Sequence, residues 1–140
     1  MKQYLLDTSP LVALIKGRAG AERLMRPWVS AQEAATSVLA YGETIEHFRT
    51  QPEYARNAAG LRTLLRVVTP LRITYSIMER YADLRLQLRP QGSLKGDVDT
   101  LIAATALEHG LTVVTIDSDY DRLTPFGLGV LRLERADLRQ

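Results

Sequence analysis

Asp7, Glu43, Asp99 and Asp117 come from four separate parts of the chain. Each falls at the end of a predicted strand or on a helix that the fold can turn towards the same edge. Hard oxygen donors, with no cysteine and no suitably spaced histidine pair, favour Mg²⁺ or Mn²⁺ over Zn²⁺. One or two such ions can activate a water and hold a scissile phosphate for in-line attack. The stretch from Gly96 to Asp121 concentrates this chemistry, with six acidic residues and no Lys or Arg. Within it Val98 to Leu107 is almost wholly apolar, and a helix that is apolar nearly all round is buried. A buried carboxylate requires a partner, so a positive group is expected beside Asp99.

Each acid also has a plainer role open to it. Asp7 could cap the first helix, and Glu43 could be a solvated helix residue. Asp97 could be the N-cap of its helix, with Asp99 complementing the dipole from the first turn. Asp117, Asp119 and Asp121 could form an ordinary polar turn. Asp99 is the hardest to dismiss, because its segment offers almost no solvated face. His47, four residues after Glu43, could share a face with it, but no second histidine is placed to join it. His109 suits a helix C-terminus. Thr115 and Ser9 could orient water or substrate, although β-propensity and capping account for them equally well.

The totals bound the setting. At 140 residues the chain is expected to be one domain, 1–140, able to bury a substantial core. No run reaches bilayer length, and the start MKQYLLD does not read as a signal peptide. A cytoplasmic protein with no membrane partner is expected. A net charge of +2 conceals a segregation. Tyr54 to Lys95 holds eight basic residues against Glu79 and Asp83, and the acidic stretch follows at once. Adjacent basic and acidic segments suit a polyanion handled through metal ions. Arginine makes up fifteen of the eighteen basic residues, which codon composition would also explain.

The elements that must position these residues alternate in type. Gln3 to Leu6 reads as a strand, followed by a helix capped by Thr8 or Ser9 with Pro10 at its first position, ending at Gly17. A short helix, Ala21 to Met25, precedes Pro27. Ala34 to Ser37 is a brief strand and Val38 to Arg49 a helix. Glu53 to Val67 is a helix with Leu61, Leu64 and Leu65 on its core face, and Leu71 to Tyr75 alternates as a strand. Ser76 and Glu79 match a capping box, opening a helix with Ile77, Tyr81, Leu84 and Leu88 on one stripe. Pro90 to Gly96 is the most loop-like segment. The buried helix closes at Gly110, then come a strand Thr112 to Ile116, a turn or short helix around Tyr120 to Leu123, and a strand near Val130 to Leu133. This alternation implies a three-layer α/β fold, with a mostly parallel central sheet flanked by helices. Ligands bind beyond the carboxyl ends of such strands, where Asp7 and Asp117 belong.

Four motifs extend this reading: LLDTS at the start, TSVLAYGE in the first third, DTLIAATALEHGLTVVTID near the end, and the closing FGLGVLRL. Together, in order and spacing, they resemble PIN-domain ribonucleases, and among these the VapC toxins of toxin–antitoxin pairs. The segment from Arg49 to Pro90 carries no family motif. The resemblance puts the four acidic positions on Asp7, Glu43, Asp99 and Asp117, with Thr115 as the strand-end threonine. Asp97 lies two positions too early and becomes a supporting or capping residue, while Asp119 could share the role of Asp117. The resemblance implies a PIN-like fold and an endoribonuclease using Mg²⁺ or Mn²⁺, leaving 5′-phosphate and 3′-hydroxyl ends. It also implies a homodimer and a small VapB-like antitoxin whose tail enters the acidic groove. Arg80, Arg85 and Arg89 are candidate contacts to the RNA backbone.

Three rivals are distinguishable by residue. A catalytically silent PIN-like RNA-binding module would have no need of all four acids. A receiver-type phosphoacceptor domain would want adjacent acids after the first strand and a late strand-end lysine, whereas Asp7 stands alone and Lys95 precedes a helix. An aspartyl-nucleophile hydrolase would want an acid two residues after Asp7, where Ser9 stands.

Overall fold

The computed structural model describes residues 1–92 and 96–139. Its elements in chain order are β1 (Tyr4–Leu6), α1 (Thr8–Ile15), α2 (Ala19–Ser30), β2 (Ala34–Ser37), α3 (Val38–Arg49), α4 (Tyr54–Leu64), β3 (Thr69–Leu71) and α5 (Tyr75–Leu88). There follow a 3-10 turn (Arg89–Gln91), α6 (Asp97–His109), β4 (Thr112–Thr115), a 3-10 segment (Ser118–Phe126), β5 (Gly129–Arg132) and α7 (Arg135–Arg139). Part of the expected loop, residues 93–95, lies outside the described residues.

The five strands form one sheet in the order β3-β2-β1-β4-β5, and every pair is parallel. Alternate side chains of a strand face opposite sides, and the sequence supplies apolar residues on both. Leu6, Ala34 and Val114 join the core beneath the first four helices and α7. Leu5, Ala35 and Val113 join the core beneath α5 and α6. A sheet apolar on both faces has to be covered twice, and three layers result. The chain builds β1, β2 and β3 outward on one side, then crosses to place β4 against the other edge of β1. The switch point therefore lies between β1 and β4, where a crevice opens beyond the carboxyl ends.

Several local expectations shift. Helix α1 begins at Thr8 after an N-cap at Asp7 whose side chain makes no capping bond, so Pro10 sits third, still within the turn whose N–H groups have no intrahelical acceptor for a proline to forfeit. Helix α2 does not stop before Pro27 but runs through it to Ser30. Pro27 and Arg23 lie exposed on the solvent side, so water can take the carbonyl that proline leaves unbonded. Buried Ala21, Met25 and Val29 hold the helix across the break. The cap of α5 is Thr74, whose hydroxyl accepts from the Ile77 N–H at 3.2 Å, so Ser76 and Glu79 form no capping box. β3 also lies earlier than the alternation suggests, at a sheet edge where Pro70 is tolerated. Helix α7 had no forerunner in the sequence pattern.

Candidate functional site

Parallel strands and the helices that return between them run in opposite senses, which brings helix starts to the carboxyl edge of the sheet. Asp7 follows β1 directly, and its N–H extends the pairing by donating to the Val114 carbonyl at 3.0 Å. Asp117 stands two residues beyond β4, and Asp99 lies in the first turn of α6. Glu43 lies in the second turn of α3, which leaves the sheet straight after β2. All four carboxylates line one cavity of about 450 Å³, together with Thr8, Ser9, Ile116, Ser118 and Arg135.

Asp7 is only 9% exposed. Its Oδ2 accepts from the hydroxyl of Thr115 at 2.8 Å, and the same oxygen of Thr115 accepts the Asp117 N–H at 3.0 Å. One threonine thus ties two of the acids. Thr8 donates to Glu43 Oε1 at 2.7 Å, fixing an otherwise exposed side chain. Asp117 Oδ1 accepts the Asp119 N–H at 2.8 Å and so caps the 3-10 segment. Tyr120 is fully buried and donates to Asp99 Oδ1 at 3.2 Å. Gly96 has φ +74°, which favours glycine, and a Cβ there would lie 3.3 Å from Asp99 Oδ2 and crowd that carboxylate.

The electrostatics of the cluster are strained. Burial pushes the Asp99 carboxyl up to about 6, and the nearby charges of Asp7, Asp117 and Glu43 add to the rise, against a smaller lowering by Tyr120. Asp7 is raised as well, first by burial, while the bonds from Thr115 and the Thr8 backbone oppose it. Tyr120 is pushed far upward by burial and by the same negative field, and stays a neutral donor. Among the described residues, the charges that raise Asp99 are those of Asp7, Asp117 and Glu43, while the Arg122 guanidinium stands nearby, its Nη2 and Asp99 Oδ2 both within 3.5 Å of the point a Gly96 Cβ would occupy. One carboxylate oxygen from each of Asp99, Asp117 and Asp119 lies within 4.8 Å of the other two. That brings in Asp119 on the same footing as Asp117 for this trio. A divalent cation is the kind of partner this all-oxygen set suits, and the like-charge strain is what it would relieve.

Other candidates sit elsewhere. Asp97, the first residue of α6, is exposed, pairs with Arg85 and does not line the cavity. Arg80 pairs with Glu108 at 3.1 Å, and Arg89 lies in the 3-10 turn. His47 lines the adjoining cavity rather than the acidic one, and its ring lies 3.1 Å from Gln51 Nε2. Ser9 lines both cavities. Sequence reasoning missed Thr8 as a partner of Glu43, Tyr120 as a partner of Asp99, and Arg135. Only Tyr120 left a signal, as a large apolar ring among the acids of DSDYD.

A parallel α/β sheet carrying convergent carboxylates at its switch point defines the class of protein. The sequence profile of the PIN domain matches residues 4–124, and the chain belongs to that family. Its fold is similar to that of VapBC2 from Rickettsia felis, solved with a promoter DNA fragment, at 21% identity and TM-score 0.80 over 94% of this chain and 98% of the other. DNA-bound VapBC from Salmonella typhimurium is similar at 22% identity and TM-score 0.81, again over 94% and 98%. A toxin–antitoxin complex from Klebsiella pneumoniae follows at 24% identity and TM-score 0.72, over 94% and 99%. A comparison with curated proteins found no match.

Proposed function

We propose that this PIN-domain chain is a metal-dependent endoribonuclease, the toxin of a VapBC-type pair. The observation that carries the reading is the convergence of Asp7, Glu43, Asp99 and Asp117 on one cavity at the switch point. Mg²⁺ or Mn²⁺ held by these carboxylates, with Asp119 available, would lower the pKa of a bound water and neutralise charge on the phosphate. The chain's own contribution is positional. Thr115 fixes the carboxylate of Asp7 and the backbone at Asp117, Thr8 fixes Glu43, and Tyr120 orients Asp99. Arg135, which lines the same cavity, is placed to meet a phosphate oxygen. Ser9 and Ser118 offer hydroxyls to substrate or water. Arg80, Arg85 and Arg89 are weaker backbone contacts, since two of them already have carboxylate partners.

The whole chain, 1–140, is taken as one domain in this reading. A homodimer is supported by an exposed stripe on α5, where Tyr75, Met78 and Leu86 stand outside the buried face of Ile77, Leu84 and Leu88. Among the described residues no helix is long and apolar enough to cross a membrane. A VapB-like antitoxin is supported by the kinship with VapBC folds.

Purified protein incubated with structured RNA and Mn²⁺ should yield fragments with 5′-phosphate ends, and Asp99→Asn should abolish them while leaving the circular dichroism spectrum unchanged. Binding without cleavage at any metal concentration would favour the silent RNA-binding module instead. For the toxin role, induced expression should arrest growth and a small neighbouring protein should relieve it. Growth without arrest would remove that half of the proposal.

A further inference from the structure

We propose that single-stranded RNA leaves the acidic cavity along a basic track beside α1, ending in a phosphate seat built by Lys16, Arg56 and Asn57. The inference rests on the nuclease reading and adds the path of the substrate. Three cavities share walls in series. The acidic one shares Thr8, Ser9, Ile116 and Arg135 with a second, of about 270 Å³, which adds Arg18, His47 and Arg139. The second shares Arg18 with a third, of about 370 Å³, lined also by Lys16, Arg56, Asn57 and Glu53.

Asn57 marks the end of the track. It is only 7% exposed, and among the described residues its Nδ2 has no hydrogen-bond partner. A buried donor left unmade is costly unless a ligand completes it, and the residue that carries this one lines a cavity with three cations. A phosphate oxygen has the charge and acceptor capacity to match. Glu53 is the single acid there, so the wall remains net positive. The middle cavity combines guanidinium groups with apolar Val12 and Leu138, which suits a nucleotide whose phosphate is held while its base lies on carbon.

The need for such a track follows from the acids. Four carboxylates repel a polyanion even after partial neutralisation, so the strand has to be held from beyond them. On the α5 side Arg80 and Arg85 are tied to Glu108 and Asp97. On the α1 side no carboxylate among the described residues forms an ion pair with Arg18, Arg56, Arg135 or Arg139.

The test is binding of a fluorescein-labelled single-stranded RNA of about eight nucleotides, read by anisotropy in Ca²⁺ buffer at several salt concentrations. Arg18→Ala and Arg56→Ala should each weaken binding about fivefold and flatten the log affinity against log salt slope by about 0.7. Asn57→Leu should weaken binding severalfold with the slope unchanged, because it removes a neutral donor, and without lowering Tm. Arg62→Ala, the same charge lost from the exposed face of α4, should change neither. In the Mn²⁺ cleavage assay the Arg18 and Arg56 variants should raise KM and leave kcat unaltered. Wild-type affinity and slope in the Arg18, Arg56 and Asn57 variants, or no binding by the wild type, would overturn the track. Binding that follows this pattern while RNA stays intact in Mn²⁺ would uphold the track and reject the nuclease reading.

Discussion

At the amino ends of the strands, polar and aromatic groups complete one another. Gln3 Nε2 donates to Glu33 Oε2 at 2.8 Å, Lys2 Nζ donates to the Val67 carbonyl at 2.7 Å, and Tyr4 stacks on Trp28 with ring centroids 4.0 Å apart. At the carboxyl ends, four carboxylates share a cavity, and burial with mutual repulsion holds Asp7 and Asp99 above their ordinary range. One end of the sheet is closed by its own residues. The other carries uncompensated carboxylates, which in the proposed reading a metal completes, and on that reading the contrast separates groups that maintain the fold from groups that act on something else.

The largest expected break in this contrast is Asp99→Asn. Removing a ligand from the acidic end should lower RNA cleavage by more than about 100-fold, measured as initial rate in Mn²⁺. Next is metal itself, which should stabilise the wild type by about 2.7 kcal/mol at a concentration of 100 Kd, read as a rise in Tm that the Asp99→Asn variant loses.

The third effect is pH. The folded chain binds the Asp99 proton more tightly than the unfolded chain, since the folded value is raised to about 6. Metal-free stability should therefore be greatest below pH 4 as far as this group is concerned. It should fall as pH rises towards and through about 6, with Asp7 acting in the same direction. The Asp99 contribution is about 1–2 kcal/mol after discounting for solvent at a half-buried carboxyl. Asp99→Asn should flatten the profile and raise the metal-free Tm at pH 7, which urea titrations across pH would check.

At the closed end, Trp28→Leu should cost about 1 kcal/mol through the lost stack and leave cleavage unchanged. A changed cleavage rate there would blur the division between the two ends. Smallest is Asp97→Asn, which breaks an exposed pair with Arg85 and should shift stability by less than about 1 kcal/mol, with activity within about threefold of wild type.

The sequence carried the architecture where periodicity and punctuation agreed. The buried run of α6, the β4 strand and the Gly110 stop were legible because apolar residues and a left-handed glycine coincide there. Pro27 misled because local propensity cannot see that the broken hydrogen bond faces solvent. The Ser76–Glu79 box misled because the helix already starts two residues earlier, where Thr74 caps it through the Ile77 N–H. At the site, the four acids were legible by type and placement, and the structure brings them to one cavity. The hydroxyls that tie them were harder to read. Thr8 meets Glu43 across 35 residues and Thr115 meets Asp7 across 108, and no local pattern encodes either contact.

Whether the carboxyl end of the sheet is a divalent-metal site can be read from the electron paramagnetic resonance of Mn²⁺ added to excess protein. The free Mn²⁺ signal should be lost with the wild type and return with Asp99→Asn. A free signal undiminished by the wild-type protein would contradict such a site.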